Sequence, residues 1–419
     1  MHSRVELRTF STTSNTDPNQ GTVTMRVYHM TEQPYPQAWV APPTSLRITL
    51  PNEMCDPVTA SALLNRYLDE WCLADELGLD IMVNEHHSTA TCMTSSCLLT
   101  LGILARATKR ARLLALGIPL ATRPDPVRIA EEVSTVDLIS KGRFDMGFVR
   151  GVPTEVAPAN CNPVGMMDRL WEAHDLILKA MTTRDGPFNW EGEHFHYRDV
   201  NIWPRPYQQP HPPVWITTMN LPSVRAIAER GHVMATFVSG LFAKTMFDAY
   251  RQIWAERRRT PAGLDRFAYL GLCAVGRSAA EARDRATKVV GYLRTFKQCA
   301  DPFEYPPGYT SRETVVKRLR NGSAPPIMFK TRTGRSVDMR TASVDELIDT
   351  SSLFAGTPDE VFQQITRFCT EIGGLGHLLL MMQGGHLSHT ETADSLQLFG
   401  KEVLPRLKDW ANEQYPVAA

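Results

Sequence analysis

An excess charge of either sign is missing from this chain: Lys and Arg total 45, Asp and Glu total 45, and the formal net charge is zero. No field of one sign marks it for nucleic acid, an anionic membrane or another polyanion. No apolar run approaches the roughly 18 residues that a membrane span needs. The eight cysteines (Cys55, Cys72, Cys92, Cys97, Cys161, Cys273, Cys299 and Cys369) form no CxxC pair, and no histidine follows Cys92 and Cys97 at zinc-finger spacing. They read as small buried hydrophobes in a reducing compartment, and no structural metal is expected. No GxGxxG opens a helix after a strand, no glycine-rich loop carries a phosphate-binding lysine, and no GxSxG presents a nucleophile. A dinucleotide domain, a P-loop and an α/β-hydrolase are thereby set aside. What remains is ordinary composition, 43% hydrophobic and 21% charged, fitting a cytoplasmic protein that handles a small molecule.

The polar stretch from Met1 to about Thr24 has no apolar core of a signal peptide and reads as a disordered leader, with the folded domain starting at Met25. From there, short β-branched runs alternate with helical periods. Strands are expected at Val27–Met30, Leu79–Val83, Leu113–Ile118, Phe144–Val149, Val214–Thr217, Val233–Phe237, Tyr269–Val275 and His377–Met382. Helices are expected at Ala60–Leu77, Thr94–Thr108, Pro126–Ile139, Met166–Met181, Pro222–Arg230, Phe242–Arg257, Ala279–Arg294, Asp359–Ile372 and Thr390–Trp410. Eight such repeats predict an α/β fold, a single (β/α)8 TIM barrel over residues 25–419. Pro187–Pro212 reads as a hairpin excursion. Thr295–Gly356, rich in Pro and Gly with a short helix at Arg312–Arg320, is too long for a connector and reads as an insertion forming a lid or pocket wall.

Barrel enzymes place reactive groups just past the C-terminal ends of strands. The strand ends here carry Asn84-Glu85-His86-His87-Ser88, Pro119-Leu120-Ala121-Thr122-Arg123, Arg150-Gly151, Thr217-Thr218-Met219-Asn220 and Gln383-Gly384-Gly385-His386. A histidine titrates near neutrality and serves as acid or base, and Glu85 beside it could orient the ring. Two adjacent histidines could also ligate a metal, but no third ligand accompanies His86 and His87 at helical spacing. Arg150 offers bidentate donors to a phosphate, and Gly151 allows close backbone approach. Asn220, with Pro222 in the first turn and Ser223 behind it, suggests an N-capped helix start suited to an anion. A surface ion pair and an ordinary cap would account for these two features singly. His386 with His389, and His194 with His196, read as structural.

Taken in order, several stretches resemble the luciferase-like monooxygenases, a flavin-dependent family. They are Val83-Asn84-Glu85-His86-His87, Pro124-Asp125-Pro126-Val127-Arg128-Ile129-Ala130-Glu131-Glu132, and Ser140-Lys141-Gly142-Arg143-Phe144-Asp145-Met146-Gly147-Phe148-Val149-Arg150-Gly151. Further on come Pro212-Pro213-Val214-Trp215-Ile216, Ala228-Glu229-Arg230-Gly231, Gly356-Thr357-Pro358-Asp359-Glu360-Val361, Ser395-Leu396-Gln397-Leu398-Phe399 and Glu402-Val403-Leu404-Pro405. The likeness runs from about Arg26 to Lys408. It implies a barrel, usually a homodimer, that takes reduced FMN from a separate NAD(P)H:flavin reductase. With O2 as co-substrate, one oxygen atom would pass through a C4a-hydroperoxyflavin to a small, hydrophobic organic substrate.

The resemblance also implies residue roles. His86 would be the acid/base group, flanked by Glu85 and His87. Leu120 and Ala121 would form the bulge under the flavin ring, often a cis peptide. Arg150 would hold the flavin phosphate, together with Thr218, Met219, Asn220 and Ser223 at the helix start. Val149 stands where bacterial luciferase has a reactive cysteine, which argues against light emission but not against oxygenation. The same barrel also hosts deazaflavin-dependent hydride transfer and non-catalytic flavin binding, which stay open as alternatives.

Overall fold

Leu113–Pro119 carries no polar side chain and is buried at every residue, so both of its faces must be covered, the mark of a parallel sheet wrapped in helices. A computed structural model of the chain describes residues 25–39, 45–295, 301–304, 306–321 and 328–415; the leader expected at 1–24 lies outside the described residues. Eight parallel strands close a ring: β1 (Arg26–Thr31), β2 (Asp80–Val83), β3 (Leu113–Pro119), β4 (Phe144–Val149), β5 (Val214–Thr217), β6 (Val233–Phe237), β7 (Phe267–Val275) and β8 (His377–Gln383). Tyr28 pairs with Asp80, Ile81 with Leu113, and Leu113 with Phe144; closure comes through Met234 with Phe267 and Arg26 with His377. This is the (β/α)8 barrel that the strand count predicts.

Strand parity divides the core. Val27, Ile81, Leu113, Phe144, Phe148 and Ile216 pack on the surrounding helices in one buried cluster. Tyr28, Met30, Met82, Leu114, Leu116, Trp215, Leu270 and Leu379 belong to a second cluster, the barrel interior. The helices begin where the sequence supplies caps: Asp125 accepts from the Arg128 amide ahead of Pro126, and Thr357 and Ser388 each form a reciprocal box with a glutamate three residues on.

The structure departs from expectation in three places. The helix expected over Thr390–Trp410 is two, His389–Leu398 and Leu404–Gln414, joined by a π-helical turn at Phe399–Val403. Pro405 has no N–H to continue the ladder and sits where the second helix begins. Leu353–Gly356, expected as part of the insertion, is a buried strand pairing with Leu272–Val275 of β7, past Leu270 where the pairing with β6 ends. Within the insertion, Met328–Lys330 and Ser336–Asp338 form a small hairpin whose Phe329 and Val337 join the interior cluster.

Candidate functional site

The end of each strand fixes where its next residues stand. Val83 pairs with Ala115, Pro119 with Val149, and Phe148 with Ile216. The parallel register therefore delivers Glu85–His87, Leu120–Ala121, Arg150 and Thr218–Asn220 to one mouth of the barrel.

His86 is held by carboxylates, but not by its sequence neighbour. Its Nδ1 lies 2.8 Å from Oε1 of Glu155, a residue in the turn Pro153–Glu155 that follows β4. The same oxygen accepts from the backbone amide of His87 at 3.0 Å. On the far side of the ring, Nε2 is 3.9 Å from Oε2 of Glu32, which is itself held by the Asn84 side-chain amide. Burial alone would pull the His86 pKa down, but the hydrogen bond to Glu155 and the charges of Glu155 and Glu32 outweigh it and raise it.

Glu85 does other work. One carboxylate oxygen lies 3.3 Å from both His87 Nε2 and Arg123 Nε, and the other accepts from the Cys97 amide at 3.0 Å. It thus fastens the segment after β2 to the start of helix Cys97–Ala107. Burial pushes its pKa up, but these partners win and hold it below the ordinary value. His87 is raised by its contact with Glu85. The expectation that Glu85 orients His86 is corrected: Glu155 does so, because past Val83 the chain turns Glu85 toward Arg123 and away from the His86 ring.

The expected bulge is also relocated. Leu120 and Ala121 are fully buried, but the register shift between β3 and β4 falls between Leu116 and Ile118, and the cis peptide is Leu116–Gly117. Glycine is required there by close approach: a Cβ on Gly147 would stand 2.4 Å from the Ala115 carbonyl oxygen, and one on Gly117 would stand 2.5 Å from Val149 Cγ1.

Arg150 forms no ion pair among the described residues; its guanidinium instead stacks on the ring of Tyr309 at 3.9 Å. Past the end of β5, Asn220 is exposed and its backbone N–H donates to Thr218 Oγ1 at 3.0 Å. The expected cap is not formed: the Asn220 side chain accepts no helix amide, and a short 3₁₀ turn, Leu221–Ser223, precedes helix Val224–Arg230. Met219 packs against the interior cluster. The buried Thr217 Oγ1 has no hydrogen-bond partner. An uncompensated arginine, an orphaned hydroxyl and a free amide side chain, gathered at one mouth, form a donor set that suits a phosphate-bearing ligand.

Three participants escape a motif search: Glu155, Glu32 and Tyr309. Glu32 stands directly past β1, at a strand end like those that carry His86 and Arg150. Glu155 and Tyr309 lie in loops, where spacing carries no signal.

A histidine held between two acids and an arginine without an ion pair, both at the C-terminal mouth of the barrel, have the placement of reactive groups in barrel enzymes. The family model "Luciferase-like monooxygenase" matches residues 47–374, and the chain belongs to that family. An uncharacterized protein, y4wF, from Sinorhizobium fredii is 32% identical over 196 residues, 46% of this chain and 56% of that one. The oxygenase component of a flavin-dependent trigonelline monooxygenase from Acinetobacter baylyi is 26% identical over 162 residues, 38% of this chain and 45% of that one. The chain thus spans about half the length of these two relatives. It aligns more fully with an alkanal monooxygenase alpha chain from Photobacterium leiognathi, 23% identical over 83% of this chain and 94% of that one. Among solved structures, the oxygenating constituent of 3,6-diketocamphane monooxygenase from Pseudomonas putida, in complex with FMN, superposes with a TM-score of 0.66 at 19% identity, covering 92% and 99% of the two chains. An F420-dependent secondary alcohol dehydrogenase gives 0.62 at 16% identity, covering 92% and 99%. At these identities both structures show the shared fold alone.

Proposed function

We propose that the chain is the oxygenase component of a two-component monooxygenase, using reduced FMN and O2 to place one oxygen atom on a small hydrophobic substrate. The observation that carries this reading is the clasp of His86 between Glu155 and Glu32, on the same barrel mouth as Arg150. Arg150, Thr218, Asn220 and Ser223 would hold the flavin phosphate, and Met219 with the β3 bulge at Leu116–Gly117 would bed the ring. The chemistry supplied by bound reduced FMN is two-electron activation of O2, with one atom going to substrate and the other to water.

The protein's own part is proton control and shielding. His86 commits Nδ1 to Glu155, which leaves Nε2 to hold or deliver a proton beside Glu32. Glu85, His87 and Arg123 keep that segment rigid. Leu221, Phe237 and Phe242 stay exposed near the ends of β5 and β6, which supports an apolar substrate. Leu99 and Ile103, one turn apart on Cys97–Ala107, and Leu138 and Ile139 on the helix Pro126–Ser140 packed beside it are all exposed, which supports a homodimer. Among the described residues no helix is long and apolar enough to cross a membrane. A separate flavin reductase completes the reading as the source of reduced FMN.

The test is anaerobic binding of reduced FMN followed by O2, scored by substrate-dependent oxygen uptake and isotopic oxygen in the product. Tight binding of a deazaflavin with no affinity for reduced FMN would sink this reading in favour of hydride transfer. Binding of reduced FMN without product oxygenation would leave a flavin-binding protein.

A further inference from the structure

The insertion reaches back to the mouth at Tyr309. Tyr309 lays its ring 3.9 Å from the Arg150 guanidinium and donates its hydroxyl to the Gly151 carbonyl at 2.8 Å. Tyr309 is half-buried and packs against the helix-facing core cluster. Its approach is fixed on both sides. Gly308 has φ +91, and a Cβ there would stand 2.8 Å from Val164 Cγ2, in the loop between β4 and helix Met166–Thr182. The short helix Asp301–Glu304 lies against the Pro153–Glu155 turn, which carries the partner of His86.

A guanidinium covered on one face by an aromatic ring loses rotational freedom while its edge donors stay available. Two other arginines past the strand ends are oriented by acids: Arg123 by Glu85 and Glu132, and Arg128 by Glu131 and Glu132. A carboxylate would compete with a phosphate for the same donors, whereas a π-face does not. The link to Gly151 ties the ring to the backbone that positions Arg150.

We infer that Tyr309 is a specificity-determining residue for the cofactor: it aims Arg150 at a phosphate, so that the insertion sets the preference for FMN over riboflavin. The inference rests on the reading of Arg150 as the phosphate contact. It makes the insertion part of the cofactor site and not only a cover for substrate.

The test is the ratio of dissociation constants for riboflavin and FMN, both reduced and measured anaerobically by calorimetry on the full chain. Tyr309→Phe keeps the π-face and loses only the hydroxyl; Tyr309→Leu keeps apolar bulk and loses the face. In Tyr309→Leu, FMN affinity falls about tenfold while riboflavin affinity holds, and Tyr309→Phe stays near the parent ratio. Adding Tyr309→Leu to Arg150→Ala changes the ratio no further. If Tyr309→Leu weakens both ligands equally, or neither, while Arg150→Ala still abolishes the preference, Tyr309 is only a wall and the inference falls with the phosphate reading intact. If Arg150→Ala leaves the ratio unchanged, the phosphate reading falls and takes the inference with it.

Discussion

His29 offers a sharp test of how the barrel is built. It lies in β1, wholly buried, and neither ring nitrogen has a hydrogen-bond partner. Burial pushes its pKa from 6.5 down to about 3. The unfolded chain takes up a proton near 6.5, whereas the folded one refuses it until far lower. The neutral ring's contribution is therefore complete above 6.5 and drains away as pH falls toward 3. Between those limits each pH unit is worth about 1.4 kcal/mol, so acidification to pH 4.5 costs on the order of 3 kcal/mol through this residue alone. His377 is also pushed to about 3, chiefly by burial, and buried His174 and His232, whose Nε2 atoms are 2.8 Å apart, are lowered as well. Raised His86 and His87 act in the opposite sense and offset part of the loss. Replacing His29 by Leu removes both the titration and an unpaired buried polar ring, which costs about 1–3 kcal/mol. His29→Leu is therefore expected to match or exceed the parent at pH 7.5 and to lose about 2–3 kcal/mol less than the parent on descending to pH 4.5. Urea unfolding midpoints across that range measure both. Parallel losses in parent and variant would refute the reasoning.

The site itself yields three more outcomes. Glu155→Gln removes the main charge that raises His86, so the limb of the kcat profile set by His86 moves to lower pH, with reduced-FMN affinity unchanged; an unmoved limb would return Glu155 to a structural role. His86→Ala lowers kcat by roughly 10²–10⁴ and leaves cofactor binding intact, read by single-turnover oxygen consumption. Gly147→Ala drives a methyl against the Ala115 carbonyl oxygen, a backbone atom that cannot swing aside, and costs about 1–3 kcal/mol in thermal or urea unfolding.

The barrel was legible because its strands are buried on both faces and read as unbroken apolar runs. Leu113–Pro119 and Phe144–Val149 could be placed within a residue, and Asp125-Pro126 announced its helix. Leu353–Gly356 was not legible: four apolar residues after Thr350-Ser351-Ser352 are too few to show a period, and only the overhang of β7 makes them a strand. The split in the last helix was hidden for a related reason. Leu396, Phe399, Val403, Leu404 and Leu407 keep an apolar stripe through the π-turn, so hydrophobic periodicity alone shows no break.

At the mouth, position was legible and partnership was not. The residues just past each strand brought His86, Arg150 and Asn220 together, because a parallel barrel sends every strand end to one side. Partnership depends on where loops return, and adjacency misleads there: Glu85 touches His86 in sequence but serves Arg123, while Glu155 arrives from 69 residues away. Tyr309 comes from farther still, 158 residues beyond Gly151, out of a segment whose sequence reads only as Pro- and Gly-rich. Strand topology thus fixes which groups share the mouth, while the two loops that return to it, Gly151–Gly165 and the insertion, decide how His86 and Arg150 are held. Variation confined to those loops would change the partners of His86 and Arg150 and leave the barrel untouched.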